Sequence, residues 1–145
     1  MCILLTGQAV PVLDGTRLAA ASGLARGAYV ISDAAGRPDA VIAATGSEVA
    51  LALQAQDELS SDGIAARVVS MPSWELLDAQ PDGYRESLFP PGVSVVAVEA
   101  GVALGWERFG ASAPGAEVLH RLGVASKAVT TAVRELVDRR DDASA

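Results

Sequence analysis

Four consecutive residues, Thr45-Gly46-Ser47-Glu48, form the first part of this sequence whose residue types suggest chemistry. They follow a continuous apolar run, residues 40–44, and precede a segment with apolar residues at helical spacing. Backbone N–H groups and the positive end of a helix converge at such a turn, and open α/β sheets bind anions there. Thr45, Gly46 and Ser47 are therefore candidate ligands for a phosphate or a carboxylate.

The same turn also has a purely structural interpretation. In that interpretation Gly46 makes a tight turn, Ser47 caps the helix, and the Glu48 carboxylate itself meets the helix dipole. The sequence favours this second interpretation, because Glu48 already brings negative charge and neither a Gly-rich fingerprint nor a Walker lysine accompanies the turn.

A further acid, Glu99, follows the apolar run 93–98, at the strand end where this architecture usually has its functional residues. We interpret Glu99 as structural or as a contact to another domain, because acid catalysis would need a partner group and a closed pocket. The sequence has no nucleophile elbow, no paired histidines and no phosphate loop, and the single His120 and single Cys2 do not form a zinc set. It thus predicts no catalytic residue, no cofactor-binding residue and no metal ligand.

The elements that would position these residues alternate between strand and helix. Strands are predicted at 27–32, 40–44, 66–70 and 93–98. Helices are predicted after the caps Ser47, Ser73 and Ser126 and at 116–122, while 81–87 is either a surface turn or a helix. Strand, helix, strand order predicts a single open, mostly parallel, doubly wound α/β sheet of about four to five strands, with helices on both faces.

Composition narrows the class of protein further. A chain of 145 residues that is 50% hydrophobic fits one globular domain. A net charge of −7 with scattered Lys and Arg argues against nucleic acid or an anionic membrane as a partner. The apolar runs are too short to span a bilayer, and a single cysteine allows no internal disulfide, so we expect a soluble protein of the reducing cytoplasm.

Four blocks, in this order and approximate spacing, resemble the C-terminal domain of transketolase. They are Ala43-Ala44-Thr45-Gly46-Ser47-Glu48, Val68-Val69-Ser70-Met71-Pro72-Ser73-Trp74-Glu75-Leu76, Val98-Glu99-Ala100-Gly101 and Gly105-Trp106-Glu107-Arg108-Phe109-Gly110-Ala111-Ser112-Ala113-Pro114. We therefore divide the chain into a linker and partner-docking segment at 1–26, a transketolase C-terminal-like domain at 27–137, and a flexible charged tail at 138–145.

The resemblance implies a function in assembly. Transketolases bind thiamine diphosphate between a pyrophosphate domain and a pyrimidine domain, and this chain resembles neither and has no Gly-Asp-Gly motif. It would be the C-terminal-domain subunit of a split transketolase-like enzyme that moves a two-carbon ketol unit, and it would not be catalytic alone. Thiamine diphosphate and a divalent metal, Mg or Ca, are expected on a separate partner subunit, in a hetero-oligomer built on a dimer. Candidate contacts to that partner are Trp74, Glu99, Trp106 and Phe109.

The chain departs from the family's pattern in two places. Gly7 stands where transketolases have an arginine that helps bind the sugar phosphate, which implies an altered substrate or phosphate binding supplied elsewhere. At Arg108 two blocks are fused that the family separates by a loop and a strand, which implies a missing edge strand. Two alternatives stay open: a stand-alone small-anion-binding or regulatory module that uses the turn at Gly46 and Glu99, and a non-functional remnant.

Overall fold

The computed structural model of the protein describes residues 10–99 and 126–143. The predicted helix at 116–122 and the fusion at Arg108 lie outside these residues. Within them, a 3-10 helix at Ala21–Arg26 precedes the first strand. The regular elements are β1 (Tyr29–Ser32), β2 (Ala40–Ala44), α1 (Glu48–Ser61), β3 (Ala66–Ser70), α2 (Trp74–Asp78), α3 (Asp82–Leu88), β4 (Ser94–Val98) and α4 (Ser126–Ala143).

The four strands form one sheet in the order β1-β3-β2-β4. β2 lies in the middle and pairs in parallel with both β3 and β4, so that Ala44 stands opposite Ser70 on one side and Val98 on the other. β1 pairs with β3 in the antiparallel direction. The predicted open, mostly parallel α/β sheet is confirmed, and the structure adds an antiparallel strand at one edge.

Helices cover both faces of this sheet because β2 is apolar on both sides. Its residues Ala40, Ile42 and Ala44 point into a core shared with α1 and α4, while Val41 and Ala43 point into a second core shared with Leu77 and Leu88 of α2 and α3. All five residues of β2 are fully buried. None of the helices in the described part of the chain has the length and apolarity to span a bilayer.

Helix α4 is tied to α1 by polar contacts as well as by the core. Glu58 of α1 accepts hydrogen bonds from the hydroxyls of Ser126, at 3.0 Å, and Thr130, at 2.8 Å. Ser126 is the first residue of α4, and its hydroxyl is used for contact between helices. A flexible tail was expected at 138–145, but the helix continues to Ala143. Arg140 holds this end of the helix by donating to the backbone oxygen of Asp39 at 3.0 Å.

Replacing Thr130 by valine should lower the free energy of unfolding by about 1 to 2 kcal/mol. Thr130 is only 1% exposed, and valine keeps its shape but removes the bond to Glu58. Thr131→Val is the matched control, because Thr131 is exposed and its hydroxyl donates to the backbone oxygen of Lys127 in its own helix. Urea denaturation measures both, and equal losses would contradict the role given to Glu58.

The residues before β1 cover the outer side of that edge strand. Ala19 N donates to Ile31 O at 2.9 Å, and Leu18 packs against the core. At the start of this segment, the backbone N–H and the hydroxyl of Thr16 both donate to Asp14, and these bonds lower the pKa of Asp14 below its usual value. The turn is thus stabilised at neutral pH, and this contribution is lost as the pH falls through the lowered pKa.

Candidate functional site

The residues that directly follow β2, β3 and β4 lie at the edge where these parallel strands end. Thr45 follows β2, Met71 follows β3 and Glu99 follows β4, and Met71 N donates to Ala44 O at 2.9 Å across the first two. β3 and β4 lie on opposite sides of β2, so the crevice between β2 and β4 is the point where the chain changes direction across the sheet. Open α/β sheets bind ligands at such a point. The predicted meeting of the Thr45 loop with Glu99 agrees with this arrangement.

The turn between β2 and α1 is occupied by the carboxylate of Glu48. Glu48 Oε1 accepts a hydrogen bond from the Ser47 hydroxyl at 3.0 Å, and a Cβ atom on Gly46 would lie 3.7 Å from Glu48 Oε2. Gly46 has a φ of 57°, which an L side chain rarely adopts, so the tight turn requires glycine. Ser47 is helical, with φ −65° and ψ −26°, and makes no side-chain capping bond. The prediction that Ser47 caps α1 is therefore wrong.

The charges around this crevice are unfavourable for an anion. The loops at 45–48, 71–75 and 99 contribute the carboxylates of Glu48, Glu75 and Glu99, and these stretches contain no Lys or Arg. The Glu48 carboxylate lies at the start of α1, which is the position that a bound phosphate would have to occupy. A phosphate there would be repelled by Glu48. The geometry thus favours the structural interpretation of Thr45, Gly46 and Ser47 over anion binding.

If Glu48 excludes anions, Glu48→Gln should raise the affinity for inorganic phosphate about tenfold, because removal of one nearby charge changes the interaction by about 1 kcal/mol or more. The measurement is the shift of the Gly46 amide in a two-dimensional NMR titration with phosphate. Glu75→Gln is the control, because Glu75 sits at the start of the short helix α2 and bonds to Ser73 there. Wild-type protein that binds phosphate as tightly as Glu48→Gln would reverse the conclusion.

Two of the four predicted contact residues are described by the structure. Trp74 begins α2 directly after β3 and is half-buried against the second core. Glu99 is also half-buried, at the end of β4. Both lie at the same edge of the sheet, which is consistent with a shared contact surface, and their role in an interface stays a prediction. Trp106 and Phe109 lie outside the described residues.

A polar cavity of about 410 Å³ lies at the opposite edge, between the end of β1 and the end of α1. Its wall includes Asp33, which accepts hydrogen bonds from the Arg67 guanidinium at 2.7 and 3.1 Å. Arg67 also donates to the backbone oxygen of Ser87 at 2.6 Å, so its charge serves to join β3, the residue after β1 and α3. In the described residues no three His, Cys, Asp or Glu side chains gather as a metal would require.

Comparison with known proteins identifies relatives over most of the chain. Residues 27–125 match the family model described as the transketolase-like TK C-terminal domain. A transketolase from Geobacillus stearothermophilus is 45% identical over 136 residues, which cover 83% of this chain and 20% of that protein. A transketolase from Mycobacterium tuberculosis is 45% identical over 155 residues, which cover 94% of this chain and 22% of that protein. The chain thus spans about a fifth of the length of these relatives.

The alignment with the Mycobacterium tuberculosis transketolase is longer than this chain. It extends over 155 positions, whereas the whole chain has 145 residues, so the mycobacterial protein has residues with no counterpart here. The place that the sequence indicates for the missing segment, Arg108, lies outside the described residues.

Solved structures give the same family. A transketolase from Leishmania mexicana has a TM-score of 0.70 and 41% identity, with 81% of this chain and 19% of that chain covered. A split-gene transketolase, described as an inactive β4 tetramer, has a TM-score of 0.57 over 77% of this chain and 42% of that chain, and its 22% identity indicates the fold alone. The family model, the 45% identical relatives and the shared fold together place this chain in the transketolase family, where it corresponds to the C-terminal domain.

Proposed function

We propose that this chain is the C-terminal-domain subunit of a split, thiamine-diphosphate-dependent transketolase. Its role is to support two-carbon ketol transfer by a separate subunit that has the pyrophosphate and pyrimidine domains. The observation behind this proposal is the match to one domain of the family, over about a fifth of the relatives' length. A split-gene transketolase among the structural neighbours has the same fold in a chain of which 42% is covered, so division of a transketolase between polypeptides has a precedent.

The described residues of this chain do not fit thiamine diphosphate. A diphosphate needs hydrogen-bond donors and a metal ion. The strand-end crevice instead has the Glu48 carboxylate at the N-terminus of α1, where the backbone N–H groups would otherwise be available to a diphosphate. We therefore assign the cofactor and its divalent metal to the partner subunit and derive no catalytic step from residues of this chain. A hetero-oligomer built on a dimer, in the cytoplasm, is part of the same proposal.

Reconstitution with a transketolase-like subunit that has the other two domains tests this function. We expect a stable complex and an increase in the rate of ketol transfer of about tenfold or more. The reason is that the bound chain would hold the partner's active site in position, and misplacement of reacting groups by about 1 Å lowers a rate by about 10². The chain alone, with thiamine diphosphate and Mg²⁺, should give no turnover. Absence of a complex together with unchanged activity would refute the proposal, as would turnover by the chain alone.

The alternative of a stand-alone anion-binding module is not favoured, because the Glu48 carboxylate already lies at the turn that it would use. Calorimetric titration of the wild-type chain with phosphate, nucleotides and sugar phosphates separates the two functions. Binding of any of these ligands without binding of a partner subunit would support the alternative.

A further inference from the structure

The polar cavity of about 410 Å³ between β1 and α1 has a smaller neighbour of about 150 Å³. Ser32, Gln56 and Asp57 line both cavities, so the two adjoin each other along α1. We call them together the α1 groove. The larger cavity alone falls within the range of about 300 to 1,000 Å³ that is typical of sites for small molecules. Small residues keep it open, and these are Ala34, Ala35, Gly63, Ala65 and Ala66.

The groove lies where β1 and β3 stop pairing. The last pair of their ladder joins Ser32 to Val68. Gln56 of α1 bridges the two strands there, because its amide nitrogen donates to Ala66 O at 2.8 Å and to Ser32 O at 3.5 Å. These bonds fix the amide group, and no donor among the described residues reaches its oxygen. Gln56 Oε1 is therefore an acceptor that a ligand in the groove can use.

The C-terminal end of α1 also borders the groove. Ser60 in its last turn and Gly63 just after it line the larger cavity. The C-terminus is the negative end of a helix and attracts cations, but the last turn of α1 has no basic residue. Two acids at this end, Glu58 and Asp62, are already bound by side chains of α4. The negative end of α1 is thus left without a cation on the side of the groove.

The charges of the groove itself favour a cation as well. Asp33 brings no net charge, because the Arg67 guanidinium pairs with it at 2.7 Å. Asp57 lines both cavities and forms no ion pair with any described residue. Arg17, in the smaller cavity, interacts electrostatically with the Asp14 carboxylate, which offsets its charge. Among the described residues, the wall of the larger cavity includes no Lys, Arg or His, so an anion would meet no positive group there.

We propose that the α1 groove binds a small organic cation that has an ammonium group on a short aliphatic chain. The Asp57 carboxylate and the negative end of α1 hold the ammonium group, and Gln56 Oε1 offers a further acceptor. An ammonium has three donors and no acceptor, which suits a groove whose unused polar groups are mainly acceptors. The aliphatic chain lies against Ile64 and the alanines of the larger cavity. This site is at the edge of the sheet opposite the strand-end crevice, and it does not depend on a partner subunit.

Three probes with the same carbon chain test the charge and the place of binding. They are n-butylamine, which is protonated at neutral pH, n-butanol, which is uncharged, and butyrate, which is an anion. Each is titrated into the full chain, and two-dimensional NMR follows the amides of Ala35, Gly63 and Ala65 at the groove. We expect saturable shifts of these amides with butylamine, weaker binding of butanol, and no binding of butyrate.

Asp57→Asn should weaken the binding of butylamine about fivefold to tenfold, because it removes one charge beside the ammonium group. Asp57 is exposed, so the fold should be retained, and thermal melts check this. Glu75→Gln is the matched control, because it removes the same charge at the start of α2, at the opposite edge of the sheet. Ala35→Leu is a second variant: Ala35 is exposed and lines the larger cavity, so a leucine there should weaken binding by filling the groove.

Each other result would overturn the proposal. Equal binding of butylamine and butanol would mean that the groove is an apolar site without preference for a cation. Shifts that grow without saturation, or equal losses for Asp57→Asn and Glu75→Gln, would mean that the net charge of −7 attracts the amine to the whole surface. Absence of any shift at the groove would mean that it is no binding site for the amine. None of these results would affect the proposed role as a transketolase subunit, because all of them are measured on this chain alone.

Discussion

Replacement of Gly27 by alanine is expected to lower the free energy of unfolding by about 3 to 5 kcal/mol, from backbone strain and a steric clash together. Gly27 has a φ of 85°, where an L residue is strained. Its missing Cβ would also lie 2.5 Å from Ser73 O and 2.8 Å from the carbonyl carbon of Leu76. Both are backbone atoms of the residues that begin α2, so the clash is relieved only if the 3-10 helix separates from α2.

Gly63→Ala distinguishes the two causes. Gly63 has a φ of 80°, close to that of Gly27, but a Cβ there would meet nothing within 4 Å. Gly63→Ala should therefore lower the free energy of unfolding through backbone strain alone, by about 1 to 2 kcal/mol. Urea denaturation of both variants gives the difference, and equal losses would mean that Gly27 does not fix α2 against the 3-10 helix.

The buried strands were predictable to the residue, whereas their neighbours in the sheet were not. The predicted strands at 40–44 and 66–70 coincide with β2 and β3. The first is a continuous apolar run between turn residues, which has few other interpretations, and the second has β-branched Val68 and Val69 at its centre. The antiparallel direction of β1 was not predicted, since an apolar pattern determines which faces are buried and leaves the pairing partner open. The polar segment 81–87 was ambiguous for a similar reason, and the structure makes it a helix, Asp82–Leu88.

Ser47 and Ser73 show why the candidate site was only partly predictable. Both follow a buried strand and precede a helix, yet Ser73 is extended, with φ −146°, and its side chain accepts from Leu76 N, while Ser47 is helical and makes no such bond. The difference arises at Gly46, whose positive φ brings the chain into helical geometry one residue earlier. Sequence alone identifies the residue types that can cap, and backbone geometry decides which of them does.

Contacts between distant residues account for the other differences. The charged end of α4 has the composition of a frayed tail, but Arg140 reaches Asp39, which is 101 residues away in sequence. Arg134 likewise pairs with Asp62 at the end of α1. Such contacts depend on the assembled sheet, and no local pattern encodes them.

Truncation of Ile42 should have a comparably large effect on stability. Ile42 is fully buried in the central strand, opposite Val68 of β3 and Val96 of β4, in the core beneath α1 and α4. Ile42→Ala is expected to cost about 3 to 5 kcal/mol, because it removes apolar contacts and leaves a cavity that the sheet on either side cannot fill, whereas Ile42→Val should cost about 0.5 to 1.5 kcal/mol. Val12→Ala is the control, since Val12 is 99% exposed. A loss below about 1 kcal/mol for Ile42→Ala would contradict the buried position of β2.

The same variant links stability to the proposed function. A loss of about 3 to 5 kcal/mol is a large share of the total stability of a single domain, which is about 5 to 15 kcal/mol, so Ile42→Ala should be partly unfolded well below the melting temperature of the wild type. A partner that binds only the folded chain stabilises it by mass action, by about 2.7 kcal/mol when its free concentration is about 100 times the dissociation constant. Addition of the transketolase-like subunit should therefore raise the melting temperature of Ile42→Ala. An unchanged melting temperature at saturating subunit would contradict binding of the subunit to the folded chain.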